Sequence, residues 1–222
     1  MKKYTLLLLL VTSLFVSCDT EAQTTAPTYS EIVQNTINQK QILKAIKVRT
    51  KRENVSSNLL FDVLSHDVFP AWYGTPWDFN GISNVPGTGK IACGYFVSTT
   101  LKHVGFNLNR YKTAQQAASV IIHEVCGRDY SKKYSSEQTL IKELSTKPNG
   151  LYVVGLDYHV GFLVVENNEV YFVHSDFFNG KVVREKAATS TAFTSSQYFV
   201  LGEITNNSLL LRKWLYNIRI YG

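Results

Sequence analysis

Two regimes of hydrophobic spacing divide the chain near residue 150. Before it, apolar residues recur at helical intervals; after it, they come in short, dense runs rich in Val, Tyr and Phe. Ile32, Val33, Ile37, Ile42, Leu43 and Ile46 trace one helical stripe, with Ser30 placed to cap it and the basic run Lys47 to Arg52 suited to its carboxyl end. A second helix is expected over Ser57 to Val68, carried by Leu59, Leu60, Val63, Leu64 and Val68 and ended by Pro70. From Pro70 to Lys90, Gly, Pro, Asn and aromatic residues crowd together, the composition of an ordered loop. Phe96, Val97, Leu101 and Val104 then mark a helix closed by Gly105, with Cys93 in its first turn. Two further helices are expected, from Thr113 to about Val125 and from Ser136 to about Ser145.

After Pro148-Asn149-Gly150 the pattern predicts strands over 151–156, 159–166 and 170–174, the last two joined by an Asn167-Asn168 hairpin. A fourth strand comes after Asn179-Gly180 at 181–185, a fifth spans 198–204, and a short helix closes the pattern at 209–215. Helices first and a consecutive antiparallel sheet second is an α+β arrangement.

The first residues change the picture of where this domain works. Lys2 and Lys3 precede an apolar run from Leu6 to Val16, too short to span a bilayer and ending at Ser17-Cys18, as a secretion signal does. Phe15-Val16-Ser17-Cys18 resembles a bacterial lipobox, which makes Cys18 the expected lipidation site and membrane anchor; an ordinary signal cut after Ala22 is the alternative. Either places the protein outside the cytoplasm, in the cell envelope. The expected organisation is thus a signal over 1–18, a polar tether over 19–29, an amino-terminal helical element over 30–69 and a catalytic domain over 70–222.

Composition narrows the function classes. At 45% hydrophobic and 18% charged, with 13 Tyr and 12 Phe, the chain is globular rather than disordered. Removing Lys2 and Lys3 takes the 23 basic residues to 21 against 17 acidic, so the formal charge falls from +6 to +4. That is mild, and no Arg/Lys cluster interleaved with aromatics marks a nucleic-acid groove. With Cys18 set aside, only Cys93 and Cys126 remain, too few for a disulfide framework. His123 and Cys126, three apart with no second ligand pair, are a weak metal signal, and no metal or cofactor is expected.

Cys93 stands where unpaired backbone N–H groups at a helix start favour thiolate, the attacking form; Cys126, at a helix carboxyl end, does not. A thiol nucleophile needs a base, and His159 opens the strongest strand of the sequence. Cys93-Gly94-Tyr95-Phe96-Val97 resembles the start of the nucleophile helix of NlpC-type, papain-like cell-wall peptidases, and Tyr158-His159-Val160-Gly161-Phe162-Leu163-Val164 is similar to that family's histidine strand. The resemblance covers about Trp72 to Ser175. It implies a papain-like core with the cysteine helix packed on an antiparallel sheet, Cys93 as nucleophile, His159 as base and His174 as the residue orienting the imidazole. Asp176, two residues on, and Asp157 are alternative orienters. Tyr73 resembles a family tyrosine near the cysteine, and Trp77 and Asp78 of the aromatic loop join it as candidate substrate contacts. Ala92 departs from the usual Asp, and Gly94 from the common Ser.

The implied activity is hydrolysis of an amide bond in peptidoglycan stem peptides through a Cys93 thioester. A catalytically idle envelope-binding lipoprotein and a Cys-His acyltransferase are the rivals on the same fold.

Overall fold

The computed structural model describes residues 26–220; the expected signal with Cys18, and residues 19–25 of the expected tether, lie outside the described residues. Helix α1 (Tyr29–Leu43) begins before the expected cap: Thr28, not Ser30, fills that place, because Glu31 three residues on completes a capping box. Helix α2 (Arg49–Asp62) runs through a π-helical turn (Val63–Val68) into α3 (Phe69–Trp72), so Pro70 does not stop the chain where its ring predicts a stop. The widened turn is the reason. Phe69 N–H reaches back five residues to Leu64, and Pro70 falls at the start of α3, where a missing N–H is tolerated.

Helix α4 (Cys93–His103) comes after the ordered loop, and then α5 (Arg110–Ala114) and α6 (Ala118–Cys126) replace the single helix expected over 113–125. The Asn109 side chain, accepting from the N–H groups of Tyr111 and Lys112, starts α5 early, and Ala117 leaves helical geometry before α6. Strand β1 (Ser131–Tyr134) is short, polar and at a sheet edge, which is why no apolar pattern announces it. Ser136 caps α7 (Glu137–Leu144). Strands β2 (Gly150–Gly155), β3 (Val160–Glu166), β4 (Glu169–Asp176) and β5 (Lys181–Lys186) form an antiparallel meander. Asn167 and Asn168 both take positive φ, 54° and 65°, in the two-residue turn between β3 and β4. After α8 (Thr191–Thr194), strand β6 (Phe199–Glu203) returns beside β2 rather than extending the meander, giving the order β1-β6-β2-β3-β4-β5, and α9 (Ser208–Leu215) comes last.

Both faces of this α+β sheet are covered. Leu151, Val153, Phe162, Val164 and Val173 face α4 and the amino-terminal helices, whereas Tyr152, Val154, Leu163, Val165 and Phe172 face α7 and α8. Leu60, Leu64, Phe69 and Trp72 are sealed in the same cluster as Phe96 and Leu101, so residues 30–69 share one core with α4 and the sheet instead of standing apart as a separate element. They also grip the far end of α4. Tyr29 Oη bonds both Trp72 Nε1 (2.9 Å) and His103 Nδ1 (2.8 Å), and Lys40 Nζ donates to Gly105 O (2.7 Å). No helix among the described residues is long and apolar enough to cross a membrane.

Strands β3 and β4 approach unusually closely at Gly161. A Cβ there would lie 2.6 Å from the Phe172 ring and 2.8 Å from the Cβ of His174. Gly161→Ala therefore forces the strands or the buried rings apart and is expected to cost about 1–3 kcal/mol in urea unfolding; an unchanged midpoint would mean that the Phe172 ring moves freely.

Candidate active site

Cys93 is the first residue of α4, partly exposed and free of any disulfide. Ala92 before it offers no side-chain cap, and the first backbone bond of the helix is Phe96 N–H to Ala92 O, so the N–H groups of Cys93, Gly94 and Tyr95 have no partner within the helix. Gly94 is explained by its neighbour. A Cβ at that position would sit 2.4 Å from the Ala114 carbonyl oxygen, so only glycine lets α5 seat against the first turn of α4.

His159 lies just ahead of β3 and is 5% exposed. Its Nε2 is 2.8 Å from Nδ1 of His174, and Nε2 of His174 is 3.1 Å from Oε1 of Glu185 on β5. His174 is wholly buried and stacks on Phe172 at 3.9 Å between ring centres. Strand alternation puts Phe172, His174 and Glu185 on the sheet face away from α4. The cysteine helix and the His174–Glu185 pair thus occupy opposite faces, and His159, at the open end of β3, bonds His174 and lines the same cleft as Cys93.

The donors and acceptors assign the protons. The bond from His174 holds the Glu185 carboxyl below the usual carboxylate range, so it accepts only. In the tautomer in which His174 donates Nε2–H to Glu185 and accepts at Nδ1 from His159 Nε2–H, His159 keeps Nδ1 bare, the atom a base uses. Burial is the larger cause, and His174 the smaller, of the fall of the His159 pKa to about 3, which leaves the ring neutral at pH 7.

Cys93 and His159 line one cleft of about 470 Å³ with Trp77, Phe79, Tyr95, Tyr158 and Phe177. Among the described residues the sulfur has no side-chain hydrogen bond to the imidazole, a contact that often tightens only with substrate in place. Burial raises the thiol pKa, and the N–H groups of Val160, Gly94 and Cys93 itself oppose that without cancelling it. The helix start therefore supplies the expected geometry but not the expected direction of shift: desolvation outweighs the backbone N–H groups that face the sulfur.

The other candidates separate. Trp77 lines the cleft; Tyr73 does not, its hydroxyl being buried without a partner among the described residues and its pKa raised to about 12 by that burial. Asp78 turns to Lys90 (3.0 Å) and to the Asn80 N–H in a neighbouring surface hollow, because the loop needs those bonds to close. Asp176 caps the turn after β4 through the N–H groups of Phe178 and Asn179, and Asp157 accepts from Gln197 N–H, so His174 is the residue that meets His159. His174, Asp176 and Glu185 lie close enough to share a metal, but His174 is already bonded to His159 and Glu185, and Asp176 to Asn179 and the Phe178 N–H. Cys126 is sealed inside, its thiol raised by burial, apart from His123 at the surface. Residues 30–66 contribute nothing to the cleft wall. Glu185 went unread in the sequence. Its signal was register: with Asp176 opposite Lys181 across Asn179-Gly180, Glu185 falls opposite Phe172, on the face of His174.

No protein-family model, curated protein or solved structure matches the chain.

A depressed histidine gives a signed pH dependence. The unfolded imidazole takes a proton near pH 6.5 and the folded His159 holds it off until about 3, so folding stability falls on acidification through that window. At about 1.4 kcal/mol per pH unit, His159 alone removes roughly 2–3 kcal/mol between pH 6 and 4. His103, pushed down to about 4, acts in the same sense. Chemical denaturation at stepped pH should find a shallower slope in His159→Gln; an equal slope would place the titration elsewhere.

Proposed function

We propose that the protein is an exported cysteine hydrolase that cleaves an amide bond in peptidoglycan stem peptides. The observation that supports it best is the Glu185–His174–His159 relay, whose last ring belongs to the same cleft as Cys93. In this reading the sulfur adds to the substrate carbonyl carbon as the thiol proton passes to His159 Nδ1. The carbon–nitrogen bond then breaks, the proton leaves with the amine, and a thioester remains on Cys93. Water, deprotonated by His159, releases the acid and restores the thiol. The N–H groups at the start of α4, which no helical carbonyl takes, are suited to the oxyanion. Because burial keeps the thiol protonated, His159 must take the proton as the bond forms rather than find a thiolate waiting.

The stem-peptide substrate is supported by the resemblance of the Cys93 and His159 segments to NlpC-type peptidases and by the leader-like first residues, with Cys18 as the proposed membrane anchor. Sacculi digested with the wild type should yield new amine termini in the muropeptide mass spectrum. None should appear with Cys93→Ala, and His159→Ala should be slower by roughly 10²- to 10⁴-fold. An undiminished yield from Cys93→Ala would end the proposal.

A further inference from the structure

The lining of the cleft says what it would accept. Among the described residues that form its wall there is no Asp, Glu, Lys or Arg. Trp77, Phe79, Ile82, Tyr95, Tyr158 and Phe177 are its large side chains, and its polar members are all uncharged at pH 7: the His159 ring, the amides of Asn80 and Gln115, the hydroxyls of Tyr95 and Tyr158, the Trp77 indole N–H and the groups at Cys93. The ion pair of the adjoining hollow, Asp78 with Lys90, closes on itself. Arg110 is 4% exposed and spends its guanidinium on Thr99 Oγ1 and on the carbonyls of Ile82 and Ser83, holding the wall from behind. Phe79 is 80% exposed and Tyr158 98% exposed, rings that folding alone gives no reason to leave in water at the rim of one cleft.

We infer that this cleft takes a large, uncharged, apolar acyl group, with its carbonyl at Cys93 and its body against the aromatic wall. The inference rests on the cysteine-hydrolase reading and sharpens its substrate class. The volume is that of pockets that hold whole small ligands rather than a methyl group, about 300–1,000 Å³. A carboxylate brought there would lose its water and meet no cation. A stem peptide would therefore have to present an uncharged residue to the wall, with its free carboxylates outside. The shared chemistry is an apolar acyl carbon chain, which an amino-acyl residue or a fatty acid can each supply.

A series of p-nitrophenyl esters, which avoids any dependence on sacculus structure, tests this: acetyl, octanoyl, N-acetyl-phenylalanyl and the charged succinyl ester. In the acyl step Cys93 sulfur displaces p-nitrophenolate, and water then frees the acid. With the full chain, kcat/KM should rise at least about tenfold from acetyl to the better of the two large apolar esters and fall for succinyl. Which large ester leads tells an amino-acyl from a fatty source. Phe79→Ala and Tyr158→Ala, both at exposed positions that folding tolerates, should flatten that ratio toward one. A series that is flat or favours succinyl, while p-nitrophenol release still depends on Cys93, would overturn the apolar cleft and leave the hydrolase standing. No Cys93-dependent release with any ester would overturn both.

Discussion

Two neutral imidazoles can share one hydrogen bond only when one keeps its proton on the facing nitrogen and the other does not. At 2.8 Å between His159 and His174, under complete burial of His174, that choice cannot be left to solvent. Glu185 makes it from the next strand, and the consequence runs through both rings to the nitrogen of His159 that remains bare. The geometry around this bond is strict for the same reason. Gly161 is bare of a side chain where β3 meets the Cβ of His174, and Phe172 stacks on the buried ring.

The sheet does more than carry strands. Because both faces are buried, it can hold His174 and Glu185 under α8 on one side and the helix that begins at Cys93 on the other, out of each other's way. His159 joins them by sitting at a strand end, where a side chain is not confined to either face. The amino-terminal helices act at the opposite end of α4: their bonds to His103 and Gly105 fix the axis of the helix whose first turn holds Cys93.

The electrostatics describe a resting pair, not an ion pair. Desolvation moves the thiol up and the imidazole down, so both stay neutral at pH 7, and three N–H groups near the sulfur only moderate the effect. In the proposed reaction such a site would hold its charge separation back until a substrate carbonyl arrives, and an aromatic wall without charged side chains suits that dry setting.

Local pattern was enough for the strands of the meander, the Asn167-Asn168 turn and the helix after Cys93, since each rests on residues close in sequence, whereas the choice of His174 over Asp176 as the partner of His159 was made only by the fold. The resemblance in the segments around Cys93 and His159 likewise named the nucleophile and base as candidates. Tertiary structure alone decided the rest. Pro70 was absorbed by a π-helical turn that no propensity encodes, β1 became a strand only because β6 offered it an edge, and β6 itself came back to β2. Tyr73 and Asp78 left the site because burial and a lysine partner claimed them, and Glu185 entered it through strand register. The direction of the thiol shift belongs there too: a helix start is legible in a sequence, but desolvation depends on every atom packed around the sulfur, and those come from the whole fold.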